Sequence, residues 1–209
     1  MTDRKPALDD AYALQSRQDN QRLYAAWADT YDTAFAAAMD YQLPLHVVQR
    51  FLTLGGQGPV LDVGAGTGIV GQLFQENGSV VVDGTDISRE MLAVAQAKGC
   101  YRSCFWGDLT DELPVAGNLY GAVVSSGTFT TGHVGPSAFH ELLRVTARDG
   151  LVCVSVNAAH WQARGFADMV DELAPAIYDL SVVEVPIYGP KADGPHKDDI
   201  SKILAFRKK

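Results

Sequence analysis

Nine consecutive residues, Val60-Leu61-Asp62-Val63-Gly64-Ala65-Gly66-Thr67-Gly68, hold the densest chemistry in the chain. An apolar run ends in three alternating glycines and feeds an apolar-periodic stretch over 69–77. That pattern predicts a short buried strand turning sharply into a helix. Glycine lets the backbone turn tightly and removes Cβ atoms that would collide with a ligand. The free N–H groups at the start of the helix point into the same space. Such a turn suits a nucleotide-like ligand; a tight turn with no ligand is the plainer alternative.

Two ligand classes compete. Gly66-Thr67-Gly68-Ile69-Val70-Gly71 satisfies the G-x-G-x-x-G dinucleotide pattern, and Asp86 stands about twenty residues on, where a ribose partner belongs. An NAD(P)-dependent oxidoreductase is therefore compatible with the spacing. Asp62 favours the other class. Two residues ahead of Gly64, its carboxylate would repel a pyrophosphate but suit the ammonium and sulfonium of S-adenosylmethionine. Asp86 can accept hydrogen bonds from both ribose hydroxyls, with Ile87 against the adenine face. Asp83 is the second-ranked acid. After the next strand, Asp108 can accept the adenine amino group while Leu109 covers the ring.

The elements that must position these groups alternate along the chain. Strands are expected at 60–63, 79–86, 101–106, 119–125 and 151–156, and helices at 69–77, 88–98 and 137–147. Ser88 is a natural N-cap and Gly99 a natural stop. This alternation predicts a mainly parallel sheet with helices on both faces. Residues 158–173 favour helix, weakened by Gly165. Residues 178–187 and 200–206 read as two strands joined by loop chemistry, hence an antiparallel hairpin. Ahead of the sheet, Leu23, Trp27, Tyr31 and Phe35 recur every four residues, an aromatic stripe on one helix face. A second helix follows Pro44, and residues 1–19 are expected to be frayed or loosely helical. The division expected is a helical appendage over 1–58 and a ligand-binding domain over 59–209, together one structural unit.

Composition narrows the class. The 209 residues can bury a large core without disulfides or metals. A net charge of −8 argues against a broad nucleic-acid interface, which needs clustered lysine and arginine. No apolar run is long enough to span a membrane. Residues 1–10 are polar and acidic, unlike a secretory signal. The three cysteines, Cys100, Cys104 and Cys153, form an odd and sparse set. Such a set fits a reducing, cytoplasmic setting, and no metal site is expected of it.

Taken together, these motifs resemble a class I S-adenosylmethionine-dependent methyltransferase. The resemblance rests on the glycine turn, on Thr85-Asp86-Ile87-Ser88-Arg89-Glu90-Met91-Leu92, on Gly107-Asp108-Leu109, on 120–127, on 140–145 and on Asp149-Gly150. More narrowly, Tyr24 to Asp32 and Gly127 to Val134 resemble the methyltransferase-like protein 27 group. The family fold is Rossmann-like, a seven-stranded, mainly parallel α/β sheet with an antiparallel last strand and helices on both faces. Carried over by position, the resemblance implies that Gly64, Ala65, Gly66 and Gly68 wrap the methionine part of S-adenosylmethionine, with Asp62 near its amino group. Asp86 would hold the ribose, Asp108 and Leu109 the adenine, and Ser125 would lie beside the sulfonium. Where amine- and nucleobase-methylating relatives carry an Asn-Pro-Pro-Tyr-type motif, this chain has Ser125-Ser126-Gly127-Thr128. Oxygen, sulfur or carbon in a small acceptor is therefore expected over nitrogen.

On the acceptor side, His133 follows the fourth strand and is the candidate general base for a hydroxyl or thiol. Tyr24, Trp27 and Tyr31 are candidates for a lid over the cofactor, Tyr31 having the better reach to the reacting centre. Trp106, Trp161 and Phe129 are candidate pocket walls, with core packing the default. A protein that binds the cofactor without turnover is the remaining alternative.

Overall fold

Strand-forming runs punctuated by glycine become seven strands of one sheet in the computed structural model, which describes residues 6, 8–12, 14, 17–78, 80–130 and 132–209. The strands are β1 (Val60–Val63), β2 (Val82–Asp86), β3 (Ser103–Trp106), β4 (Tyr120–Phe129), β5 (Thr146–Asn157), β6 (Ile177–Pro186) and β7 (Ile200–Lys208). Their order across the sheet is β3-β2-β1-β4-β5-β7-β6. The first five pair in parallel, and β7 runs antiparallel to both β5 and β6. Strand order reverses between β1 and β4, and a crevice opens at the carboxyl ends of strands at such a point.

Among the described residues, eight α-helices accompany the sheet: α1 (Leu8–Tyr12), α2 (Arg17–Trp27), α3 (Leu43–Thr53), α4 (Ile69–Asn77), α5 (Arg89–Ala97), α6 (Phe139–Val145), α7 (Ala158–Ala163) and α8 (Phe166–Leu173). Strand side chains alternate between faces. Leu61, Val63, Val123, Val152 and Val154 join Phe139 and Leu142 of α6 and Phe166 of α8 in one core. Val60, Ala122, Val124 and Cys153 join Val47, Val48 and Phe51 of α3 and Val70 and Phe74 of α4 in the other. Helix α3 is thus part of the main core, although it precedes the first strand.

Several expected boundaries move, each for a local reason. The stripe expected as one helix breaks after Trp27, and Tyr31–Ala36 forms a wider π-turn in which the Ala37 N–H donates to the Asp32 carbonyl at 3.0 Å. The aromatic rings stay in contact across the break, with centroids 5.3 Å apart for Trp27 and Tyr31 and 4.9 Å for Tyr31 and Phe35. The fourth strand runs on to Phe129 through a register shift between Ser125 and Phe129. There Gly127 takes a φ of 79° that an L side chain resists. The helix expected over 158–173 divides at Gly165, whose φ is 72°. The third strand starts at Ser103, which leaves Tyr101 to turn beneath the glycine loop. The expected start of the second strand, residue 79, lies outside the described residues, as do 1–5, 7, 13, 15 and 16 of the N-terminal stretch.

Candidate active site

The glycine loop is built by β1 and tied to β2. The N–H groups of Gly64 and Ala65 both donate to the Thr85 carbonyl, at 2.8 and 3.0 Å. Gly64 has a φ of 70°, and a Cβ there would overlap the Thr128 side chain from the β4 bulge. Gly66 has a φ of 54°, and a Cβ there would meet nothing within 4 Å, because the space before it is the cleft. At the end of β2, the Asp86 carboxylate accepts the Gly66 N–H on one oxygen and the Ser88 N–H on the other, each at 2.8 Å. Burial raises the Asp86 pKa, and those backbone donors oppose the rise. Asp86, Ile87, Met91, Asp108 and Leu109 line one end of the cleft. Asp108 holds its own turn, accepting the Thr110 N–H at 2.9 Å and hydroxyl at 2.7 Å. A nucleoside fits this end: a carboxylate for hydroxyl donors, apolar flanks for a base, and a backbone with no side chain in the way.

Tyr24, Tyr31, Tyr41 and His133 line the other end. Tyr24 rests against His133, their ring centroids 5.5 Å apart. Burial holds the Tyr24 and Tyr31 phenols well above their ordinary pKa, and the Tyr41 phenol is pushed up to about 12 for the same reason. These hydroxyls stay protonated and act as neutral donors. Asp32, from the π-turn, fastens this aromatic segment to the nucleoside end. One of its oxygens accepts the Thr67 hydroxyl at 2.5 Å, and the other accepts from Lys98 Nζ at 2.5 Å.

Sequence comparison decides what this cleft belongs to. The family profile described as a methyltransferase domain matches residues 60–150. Over 151 residues, the chain is 33% identical to human methyltransferase-like protein 27, with 69% of this chain and 60% of that protein aligned. Residues 60–150 thus carry a methyltransferase domain. The chain spans about 60% of the length of the human relative it matches. Solved structures share the fold. A TehB-like methyltransferase from Corynebacterium glutamicum superposes with a TM-score of 0.63 at 19% identity, covering 89% of this chain and 98% of that one. The [4+2]-cyclase SpnF superposes with a TM-score of 0.66 at 17% identity, covering 93% and 97%.

In this chain, most residues singled out from sequence meet in the one cleft: Tyr24, Tyr31, Gly64, Ala65, Gly66, Asp86, Ile87, Asp108, Leu109 and His133 all line it. Four do not. Asp62 is fully buried. It shares a strand face with Val60 and so points beneath α4. There it accepts the Tyr101 hydroxyl at 2.6 Å, and its other oxygen has no hydrogen-bond partner among the described residues. Burial pushes its pKa up to about 7. Trp27 is buried behind Tyr24 and Tyr31 in the N-terminal aromatic cluster. Gly68 caps α4 and lies against Ala95 and Tyr101. Ser125 is buried and donates its hydroxyl to the Val63 carbonyl at 2.8 Å.

The rival acid Asp83 is spent elsewhere, accepting from Arg102 and, at 3.0 Å, from the Tyr120 hydroxyl. Gly71, the last glycine of the dinucleotide-like pattern, faces the Tyr101 ring, where a Cβ would stand 2.5 Å from Cζ. Trp106 is exposed and donates to the Ile87 carbonyl at 2.9 Å, Trp161 stacks on Phe166, and Phe129 belongs to the core. Sequence reasoning missed Tyr41, Ser126 and Thr128, which the β4 bulge and the N-terminal segment bring to the cleft. Gly127 after a strand run was the available signal. Among the described residues, no group of three or more His, Cys, Asp or Glu could hold a metal ion, and no helix is long and apolar enough to cross a membrane.

Proposed function

We propose that this cleft binds S-adenosylmethionine and that the protein transfers the methyl group to a small acceptor entering from the aromatic end. The observation that carries the reading is the pairing of an open glycine turn with a cleft-facing Asp86 at the switch point of the sheet. The cofactor would supply a methyl carbon already attached to a good leaving group. Gly64, Ala65 and Gly66 would border its methionine part, Asp86 would take the ribose hydroxyls, and Asp108 and Leu109 would frame the adenine. What remains for the protein is to position the acceptor, exclude water and take up a proton. His133 is suited to the last task, because histidine is the side-chain type that exchanges protons near neutral pH. Tyr31, kept protonated, would orient an acceptor oxygen or sulfur by donating to it.

An oxygen, sulfur or carbon acceptor is favoured over an amine. The hydroxyl of Ser125 is committed to Val63, and the carboxylates among the lining residues described, Asp86 and Asp108, already accept backbone N–H groups. A small molecule is favoured over nucleic acid, because no lysine or arginine is among the lining residues described. Calorimetric titration with S-adenosylhomocysteine and with NADH separates the two cofactor classes, and binding of the first alone is expected. A metabolite panel read out as S-adenosylhomocysteine formation then tests turnover. Binding without turnover across that panel would identify a cofactor-dependent protein of another kind.

A further inference from the structure

A second, smaller space adjoins the cleft. Its empty volume, mouth included, is about 530 Å³ against about 1070 Å³ for the main cleft. The two spaces share Tyr24, Tyr31, Tyr41, Gly127 and His133, so their junction lies at the β4 bulge. Beyond the junction the walls are Phe35, Phe129, Tyr188 and aliphatic side chains, with a few small polar residues.

We propose that this inner chamber is the acceptor subsite and that it takes an uncharged ring compound bearing a hydroxyl or thiol. The proposal deepens the reading above and rests on the outer cleft holding the methyl donor. Three observations carry it. First, no aspartate, glutamate, lysine or arginine lines the chamber among the described residues. An ionised acceptor would lose its hydration there without a counter-charge, which is costly. Second, three of its small polar side chains bond to the protein's own backbone. Ser155 Oγ accepts the Gly127 N–H at 3.0 Å, Ser201 donates to the Val156 carbonyl at 2.9 Å, and Asn157 Oδ1 caps α7. Phenolic O–H groups and an imidazole are among the other polar groups at its walls. Third, the walls are ring faces in tilted contact: Phe35 with Tyr41 at 5.3 Å and Tyr41 with Tyr188 at 6.0 Å. A further ring adds to such a cluster in the edge or offset contacts that aromatic pairs prefer. His133, at the junction, is placed to receive the proton of the hydroxyl or thiol.

The test uses the full chain and four probes of similar size, read by ligand-observed NMR with and without S-adenosylhomocysteine. They are p-cresol, 4-methylthiophenol, 4-hydroxybenzoate and tyramine. The two neutral probes are expected to bind at least tenfold more tightly than the carboxylate and the amine. Thr130, partly exposed, lines the chamber but not the main cleft. Thr130→Arg is expected to weaken p-cresol at least tenfold while changing S-adenosylhomocysteine affinity less than twofold. Equal or tighter binding of either charged probe overturns the proposal, as does failure of every probe to bind the wild type. If S-adenosylhomocysteine does not bind but p-cresol does, the donor reading falls and the neutral subsite stands.

Discussion

The nucleoside end and the aromatic end of the cleft are held together in different ways. At the nucleoside end, backbone does most of the work: β1, β2 and the glycine turn bond to one another, and Asp86 locks two amides with one carboxylate. At the aromatic end, side chains from α2, the π-turn, the stretch before α3 and the loop after β4 meet through ring contacts. The first is stiff and intolerant of added atoms. The second depends on fit and on a charged fastening, Asp32. Substitutions at the two ends should therefore fail differently.

The harshest test falls on the stiff end. In Gly64→Ala, the new methyl would overlap Thr128 at a φ of 70°. Strain and overlap together should cost ~2–4 kcal/mol of stability and abolish measurable S-adenosylhomocysteine binding. Thermal unfolding and calorimetry read both effects, and normal affinity in the Gly64→Ala protein would show that the loop is softer than its geometry implies. Asp86→Ala comes next. With Asp86 holding the ribose as proposed, its loss should weaken the nucleoside by ~1–3 kcal/mol, roughly 5- to 150-fold. Because burial raises the Asp86 pKa, wild-type affinity should also fall as the pH drops toward that raised value and the carboxylate takes up a proton.

Beneath the loop, Tyr101→Phe removes the donor to Asp62 and should cost ~1–3 kcal/mol, because a buried acceptor loses its partner. Asp62 itself gives a pH signature. Its pKa rises from an ordinary 3.8 to about 7 on folding, chiefly through desolvation, so between those values the folded state binds more protons than the unfolded chain. Stability contributed by this group therefore falls as the pH rises through that window. Asp62→Asn should flatten the dependence in denaturant titrations across that range, and an unchanged slope would mean the proton is held elsewhere.

The same contrast explains what could be read from sequence. Gly64, Gly66 and Asp86 answer local demands, a positive φ or a strand end, and local demands leave a local pattern. Asp62 was singled out by its charge and by its position two residues ahead of Gly64. Strand alternation puts it on the Val60 face, under α4, where its partner Tyr101 comes from 39 positions later. Trp27 belongs to a stripe whose period was visible, but a period does not say which member fronts a cavity. Tyr41 reaches the cleft because its segment bridges Tyr188 near the end of β6, 147 positions later in the chain. The Asp32 fastening to Thr67 and Lys98 spans 35 and 66 positions. Neither pairing has a signature within a window of neighbouring residues.

Fastening by a single carboxylate should be worth less than the backbone locks. Asp32 is 36% exposed and Lys98 15%, so solvent screens part of the pair. Asp32→Ala should lower stability by ~1 kcal/mol or less. It should leave the glycine loop intact but loosen the aromatic segment, seen as faster hydrogen exchange over 31–37 with slower exchange retained at 60–68. Equal acceleration in both segments would show that the two ends are one mechanical unit.

The smallest expected effect sharpens the comparison most. His133 lines the main cleft at its aromatic end, touches Tyr24 and donates its backbone N–H to the Thr130 carbonyl at 3.0 Å. Thr130 lines the smaller adjoining space and not the main cleft. If the two ends divide the labour, donor at one and acceptor at the other, His133→Ala should change S-adenosylhomocysteine affinity less than twofold. It should still slow methyl transfer to a hydroxyl or thiol acceptor, and raising the pH should recover part of the lost rate, because an acceptor that has already shed its proton needs no base. A drop in nucleoside affinity would move His133 into the donor half. A rate loss that no pH restores would make it a wall of the acceptor space rather than its base.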